Sequence, residues 1–290
     1  MTFVPAADTL RGALRPDGGS IGGRSCEGCA LRGAELCRAM RDDGSTGAGR
    51  PAVRTFPRGR QILEQGGQPG FLGVIRKGYV RRSTIRLSGK RILLGLAVPG
   101  DLVGALAGEA SVCGLEAATD VEICLYDSAG VSRRMRHDPR IRQLVLREVD
   151  HLHQSLLEAL WRYGTLTSRE RIIAFLVSAA SIMPVEPLPD GALVLTMEID
   201  RRDWADLTNT AVETISRTLR YLEEKDLLTS LSPYRFRIRD LDRLALLAGV
   251  EPPGREAEGR VASGPPASPA ATADPRRPMT AINAPTGARG

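Results

Sequence analysis

The chain has 290 residues, of which 42% are hydrophobic, 26% charged and only 4% aromatic, and its formal net charge is +6. This length suffices for about two domains with sizeable cores, so folding needs no disulfide scaffold. The start of the chain shows no apolar segment behind basic residues, and the longest apolar run, at 92–98, is far too short to cross a bilayer. We therefore exclude a secreted disulfide protein, a membrane protein and a wholly disordered chain, and expect a soluble cytoplasmic protein.

The two ends of the chain differ in composition from its middle. Residues 1–54 are rich in glycine and arginine and show no sustained periodicity, but they carry Cys26, Cys29 and Cys37. Residues 251–290 are rich in alanine, proline and glycine and contain no aromatic residue. Such a segment cannot form a packed core, so we predict a disordered C-terminal tail.

Residues 55–137 consist of short apolar runs interrupted by glycine and proline, such as FLGVIRKGYV and VEICLYD. Runs of this kind are typical of short strands joined by turns. We predict an antiparallel β-roll here.

Residues 138–164 predict one long helix, because Asp138 can cap its N-terminus and Pro139 suits the first turn. Apolar residues recur along one face of this helix. They are Ile141, Val145, Val149, Leu152, Leu156, Ala159, Leu160 and Tyr163. A stripe of this length exceeds what is needed to cover a small roll, so we favour packing against a second copy over an intrachain core helix.

Residues 165–250 predict a winged helix-turn-helix domain. Asp200 can cap the first helix of the pair and Thr210 the second, with Asn209 in a left-handed conformation at the break. A hairpin follows, turning at Ser232–Pro233, and its alternating arginines can contact DNA phosphates. These arginines are Arg235, Arg237 and Arg239.

The second helix of the pair has two distinct faces. Its buried stripe comprises Ile215, Leu219 and Leu222, and the opposite face carries Glu213, Ser216, Arg217 and Arg220. Arginine can pair with guanine, glutamate can accept a hydrogen bond from cytosine, and serine can bond either. A structural alternative is a capping box between Thr210 and Glu213, with the arginines as ordinary solvated charges. Bases and acids balance over residues 196–239, so charge alone does not predict DNA binding here.

The motif VETISR at 212–217, with LTM at 195–197 and GDLVG at 100–104, resembles the oxygen-sensing FNR-type branch of the cyclic-AMP receptor protein superfamily of bacterial transcription regulators. The order of the predicted structural elements also agrees with that of the family over roughly residues 20–250. The resemblance implies an α+β fold: an N-terminal cyclic-nucleotide-binding-like β-roll, a long dimerisation helix and a C-terminal winged helix-turn-helix domain.

The resemblance also implies a function. It implies a cytoplasmic homodimer that is not an enzyme, binds TTGAT-type palindromes in double-stranded DNA and acts on RNA polymerase as an activator. The DNA-contacting residues that it implies are Glu213, Thr214, Ser216, Arg217 and Arg220.

Two stretches depart from the family's pattern. Asn209-Thr210-Ala211 stands where Gly-Leu-Thr is common, which leaves the base-reading residues unchanged. Residues 108–119 lack the arginine that neutralises a cyclic phosphate in the wider superfamily. We therefore expect no cyclic nucleotide to bind.

Five cysteines are present, and Cys26, Cys29 and Cys37 place three thiols in one short segment. In a reducing compartment such a group favours a metal over a disulfide. An iron–sulfur cluster takes four thiolates, so the fourth must be Cys113 or Cys124. We favour Cys124, which matches the family's distant ligand, and the resemblance then implies a 4Fe-4S cluster. The spacing alone leaves zinc and the nuclearity of a cluster open.

The predicted function is therefore a DNA-binding regulator that responds to oxygen or redox state and controls anaerobic or microaerobic genes. One alternative is a regulator of the same fold that uses another ligand or is constitutive. A redox enzyme or electron carrier is a further alternative, but it leaves the recognition-like helix unexplained. The sequence also lacks the common dinucleotide-binding and Walker motifs.

Overall fold

A computed structural model of the chain describes residues 26, 29–41, 51–85, 87, 89, 91–106 and 108–252. Most of the predicted disordered tail, from residue 253 onward, lies outside these residues. So does part of the N-terminal segment, namely residues 1–25, 27–28 and 42–50.

The cysteine-bearing segment contains helical structure that the sequence did not predict. A 3₁₀ helix spans Ala30–Gly33, and helix α1 follows at Glu35–Arg41. Leu36, Ala39 and Met40 are buried on α1. Cys37 is therefore carried by a helix that packs against the rest of the molecule.

The β-roll is built from two antiparallel sheets. Its strands are β1 Ala52–Phe56, β2 Gln61–Leu63, β3 Phe71–Lys77, β4 Val80–Ile85, β5 Arg91–Ala97, β6 Leu102–Gly104, β7 Gly114–Ala117 and β8 Val121–Asp127. One sheet has the order β1-β8-β3-β6 and the other β2-β7-β4-β5. Ile75 and Ile123 from the first sheet pack with Val80 and Leu115 from the second. The predicted roll is confirmed.

Two helices follow the roll, α2 at Ser128–His137 and α3 at Pro139–Thr165. Helix α2 was not predicted separately from the roll. The predicted start of the long helix is confirmed, because the Asp138 side chain accepts hydrogen bonds from the backbone N–H groups of Arg140 and Ile141. Pro139 occupies the first turn, where its missing N–H costs nothing.

The C-terminal unit is a winged helix-turn-helix. Its elements are α4 Ser168–Ile182, β9 Val185–Pro187, β10 Leu193–Thr196, α5 Arg201–Leu207, α6 Val212–Glu224, β11 Leu228–Ser232, β12 Arg235–Ile238 and α7 Leu241–Ala248. The strands form a sheet in the order β11-β12-β10-β9, in which β9 was not predicted. Trp204 and Phe236 are fully buried and meet edge to face, with ring centroids 6.0 Å apart.

Among the described residues, no helix combines the length and the apolar character that crossing a membrane requires.

Candidate DNA-reading helix and cysteine site

The turn between α5 and α6 sets the position of the recognition-like helix. Asp200 caps α5 as predicted, since its side chain accepts a hydrogen bond from Asp203 N at 2.7 Å. Asn209 has the predicted left-handed conformation, with φ of 46°. The predicted capping role of Thr210 is wrong, because the N-cap of α6 is Ala211, whose side chain makes no capping bond.

The hydroxyl group of Thr210 is used elsewhere. It lies 2.9 Å from the hydroxyl oxygen of Thr208, so it faces the end of α5 and not the start of α6. Thr210 and Glu213 therefore do not form the capping box that was the structural alternative for this turn. Glu213 is exposed to solvent.

Arg171 on α4 holds the turn in place, a role that the sequence pattern did not indicate. Its guanidinium group donates to the carbonyl oxygen of Thr208 at 2.8 Å and to that of Asn209 at 3.2 Å. It also donates to the carbonyl oxygen of Leu166 at 2.7 Å, just after the long helix. One side chain thus links the end of α3, helix α4 and the turn before α6.

Helix α6 presents the predicted polar face to solvent. Its apolar stripe is buried and consists of Ile215, Leu219 and Leu222. The exposed residues on the other face are Glu213, Ser216, Arg217 and Arg220. Thr214 is half-buried, and its hydroxyl oxygen lies 3.4 Å from Arg217 Nη2. The side chains that could reach base edges are therefore accessible.

The arginines of the wing are paired with acidic side chains. Arg235 lies 3.2 Å from Glu186 on β9, and Arg239 lies 2.6 Å from Asp226. Arg237 pairs with Asp190 in the loop between β9 and β10. We predicted three cations available to phosphates, but each guanidinium group already has a carboxylate partner.

Cys37 and Cys124 are brought together by the packing of α1 on the roll. Cys37 lies on α1, Cys124 lies on the predicted strand β8, and both pack against the same apolar cluster, which includes Met40 and Val74. Burial raises the pKa of the Cys37 thiol to about 11, and the nearby Cys29 and Cys26 thiols contribute to the increase.

Cys124 on strand β8 lies in a similar environment. Burial raises the pKa of its thiol to about 11, with contributions from the thiols of Cys37, Cys29 and Cys26. These four predicted ligands therefore lie within electrostatic range of one another. At neutral pH and without a metal the thiols of Cys37 and Cys124 are protonated, and a metal that binds them must displace those protons.

The backbone between the first two cysteines forms a turn, in which Cys29 N donates to the carbonyl oxygen of Cys26 at 3.2 Å. Cys113 lies apart from the group, against the interior of the roll. All five thiols are free and half-buried. Within the described ranges, no three His, Cys, Asp or Glu side chains are close enough to hold a single metal ion.

The long helix α3 divides into a buried and an exposed part. Ile141, Leu144 and Val145 are buried against the cluster that contains α1. Further along, apolar side chains of the predicted stripe are exposed in the single chain. These are Val149, Leu156, Leu160 and Tyr163. The intrachain interpretation thus holds for the first turns and for the C-terminal end, where the Tyr163 hydroxyl donates to the carbonyl oxygen of Leu207 at 2.7 Å.

Comparisons with known proteins identify both units. A model described as the Crp-like helix-turn-helix domain matches residues 170–247, and the cyclic nucleotide-binding domain matches residues 53–138. The nitrogen fixation regulation protein FixK of Azorhizobium caulinodans is 27% identical over 227 residues, which cover 74% of this chain and 89% of FixK. The transcriptional activator protein FnrL of Cereibacter sphaeroides is 22% identical over 236 residues, which cover 79% of this chain and 94% of FnrL.

The solved structure of FixK2 from Bradyrhizobium japonicum has the same fold. It superposes with a TM-score of 0.63 at 19% identity, covering 68% of this chain and 96% of FixK2. The relatives that match along most of their length are transcription regulators and not enzymes. The roll, the long helix, the winged helix-turn-helix and these matches together place the chain in the Crp/FNR superfamily of DNA-binding transcription regulators.

Proposed function

We propose that this regulator responds to oxygen through an iron–sulfur cluster held by Cys26, Cys29, Cys37 and Cys124. The observation that carries the proposal is the convergence of these thiols. Three come from one end of the chain and the fourth from strand β8, yet Cys37 and Cys124 pack against one apolar cluster. The thiols of Cys26, Cys29 and Cys37 also all lie close enough to act on the thiol of Cys124. Their donor set suits a cluster, which is bound by four cysteine thiolates.

The chain's own residues would bind this group and shield it. The apolar cluster around Cys37 and Cys124, with Leu36, Met40 and Tyr126, limits the access of water to two of the four thiols. Limited access matters because solvent exposure and the polarity of the surroundings set the reduction potential of iron–sulfur centres. When bound, an iron–sulfur cluster supplies a group that oxygen can oxidise and degrade.

The same apolar cluster connects the cysteine segment to the long helix. Leu36, Ala39 and Met40 of α1 share one core with Ile141 and Val145 of α3. Four thiolates tied to one group restrict the position of α1, and α1 in turn covers the first turns of α3. Loss of that restriction changes what α3 packs against, which gives the two states that a switch requires.

We propose that the exposed part of α3 forms the dimer interface. Val149, Leu156 and Leu160 are 53%, 44% and 66% exposed in the single chain. A row of such side chains along one helix face is suited to packing against a second copy of the helix. Two-fold symmetry would then separate the two α6 helices by about 34 Å, one turn of DNA.

Each α6 helix is proposed to read a TTGAT half-site through Glu213, Ser216 and Arg217, with Thr214 and Arg220 at its edges. Their exposure on one face, opposite the buried stripe, supports this assignment. Arg217 can donate two bonds to guanine and Glu213 can accept from cytosine. The bound dimer is further proposed to act on RNA polymerase in the cytoplasm.

Cyclic nucleotides are not proposed as ligands, although the roll has the cyclic nucleotide-binding fold. Residues 108–119 contain no arginine, and Glu116 within them already binds Arg81 and Arg91, each at 2.8 Å. A carboxylate at this position repels a cyclic phosphate and does not neutralise it.

Metal analysis of protein purified without oxygen tests the proposal. We expect iron and acid-labile sulfide in the parent protein and in Cys113→Ser, which serves as the matched control. Cys37→Ser and Cys124→Ser are expected to lose both. Zinc in place of iron, or iron that depends on Cys113 but not on Cys124, would overturn the assignment.

A further inference from the structure

A buried ion pair joins the β-roll directly to the first helix of the helix-turn-helix. Arg81 on β4 donates from Nε to Oδ1 of Asp203 at 2.7 Å and from Nη2 to Oδ2 at 2.6 Å. The two side chains are 6% and 2% exposed, and 122 positions separate them in sequence. This is a bidentate pair, in which two parallel bonds fix the relative orientation of the two planar groups.

Other contacts between the two units surround this pair but fix orientation less strictly. Tyr79 of the roll belongs to the apolar core of the winged unit, and its hydroxyl donates to the carbonyl oxygen of Ile182 at 3.0 Å. Leu96 and Val98 pack against the same core. Apolar contacts are non-directional, so they hold the units together without selecting one angle between them.

Asp203 is connected to the DNA-reading helix α6 through helix α5 and the turn that follows it. Asp203 is in the first turn of α5, beside its cap Asp200, which pairs with Arg58 of the roll at 2.8 Å. The end of α5 leads through the Asn209 turn into α6. The orientation of α5 on the roll therefore sets the orientation of α6 relative to the dimer helix that follows the roll.

We infer that Arg81 is a positioning residue for DNA binding: its pair with Asp203 sets the spacing of the two reading helices in the dimer. This inference rests on the proposed dimeric binding of a palindrome. The pair contacts no base and leaves the face of α6 free. Its loss is therefore expected to alter which half-site spacings are accepted, while the half-site sequence stays the same.

The variant for this test replaces both partners, Arg81→Met with Asp203→Leu. Removing one partner alone leaves a buried charge uncompensated, whereas replacing both by apolar residues is often tolerated. Asp203→Asn provides a second variant if the double replacement fails to fold, because it is nearly isosteric and leaves Arg81 paired with Glu116 at 2.8 Å. Arg91→Gln is the matched control, because Arg91 binds Glu116 within the roll and does not reach the winged unit.

The parent and each variant are purified as full chains without oxygen. Each protein then selects binding sites from a pool of random DNA duplexes at one fixed salt concentration. We expect the parent and Arg91→Gln to select palindromes with one spacing. The Arg81–Asp203 variants are expected to select the same half-sites at several spacings. Their discrimination between spacings is expected to fall by a factor of about 5 to 150, the usual range for coupling between two sites.

A general loss of stability does not produce this result, because it lowers affinity for all spacings alike. If the variants keep the parent's single spacing, the positioning role of Arg81 is wrong while dimeric binding stands. If the parent itself selects isolated half-sites, the proposed dimeric binding fails, and the spacing inference fails with it.

Discussion

Arg147 Nη1 on the long helix α3 lies 2.8 Å from Glu35 Oε2 on the cysteine-bearing helix α1. Both side chains are about two-fifths exposed, at 42% and 43%. A second link is more buried: Arg134 on α2 donates to the carbonyl oxygens of Met40 and Ala39, each at 2.8 Å. These bonds cap the C-terminal end of α1, where carbonyl groups lack helical partners.

The two links are expected to differ in strength, which gives the first prediction. Hydrogen bonds from a charged donor contribute about 1.5–3 kcal/mol, whereas an exposed ion pair contributes about 0–1 kcal/mol. We expect Arg134→Gln to release iron faster under a chelator than the parent, and Arg147→Gln to release it at nearly the parent rate. Equal release from both variants would show that the capping bonds do not hold α1.

The second prediction concerns base reading by α6. Glu213→Ala and Arg217→Ala are expected to cost about 1–3 kcal/mol per half-site and to relax specificity at a G·C pair. Titration of a TTGAT palindrome and of single-base variants measures both effects. Glu224→Ala, at the exposed C-terminal end of the same helix, is the control and should bind as the parent does. Parent-like binding by both test variants would remove these residues from the reading face.

The third prediction concerns the dimer. Leu156→Glu places a charge in the exposed stripe of α3, where it must be desolvated in an interface between two helices. The variant is expected to be a folded monomer with weak operator binding, as measured by sedimentation and titration. Leu246→Glu is the control, because Leu246 is 75% exposed on α7, outside this stripe. A Leu156→Glu protein that remains dimeric would place the interface elsewhere.

The fourth prediction follows from the paired arginines of the wing. Asp190 is the carboxylate partner of Arg237. Asp190→Asn frees a guanidinium group for phosphate contact, so we expect tighter binding to all duplexes and a salt dependence steeper by about one counterion. Sequence preference should not change. An unchanged salt dependence would show that the wing strand does not approach the DNA backbone.

Local features of the fold were predictable because their causes are local. The capping residue Asp138 with Pro139 marks the start of α3, and Asn209 marks the turn before α6. The prediction for Thr210 failed because its hydroxyl group lies beside that of Thr208, a contact that spacing alone does not reveal. Helix α1 was missed because it is only seven residues long and lies in a segment without periodicity.

The candidate sites were predictable in their residue types but not in their packing. The sequence indicated four cysteines, yet only the docking of α1 on the roll brings Cys37 near Cys124. Nothing in the sequence pattern links Arg81 to Asp203, because each looks like an ordinary surface charge on its own element. Such pairs depend on tertiary structure, which brings together positions that are remote in the chain.

The most direct test of the central claim is to measure the oligomeric state and the affinity for a TTGAT palindrome on one anaerobic sample, before and after exposure to air. The account predicts a coloured dimer that binds tightly before exposure. After exposure it predicts a monomer that has lost iron and binds weakly. A protein that stays dimeric in air and binds the palindrome with unchanged affinity would contradict it.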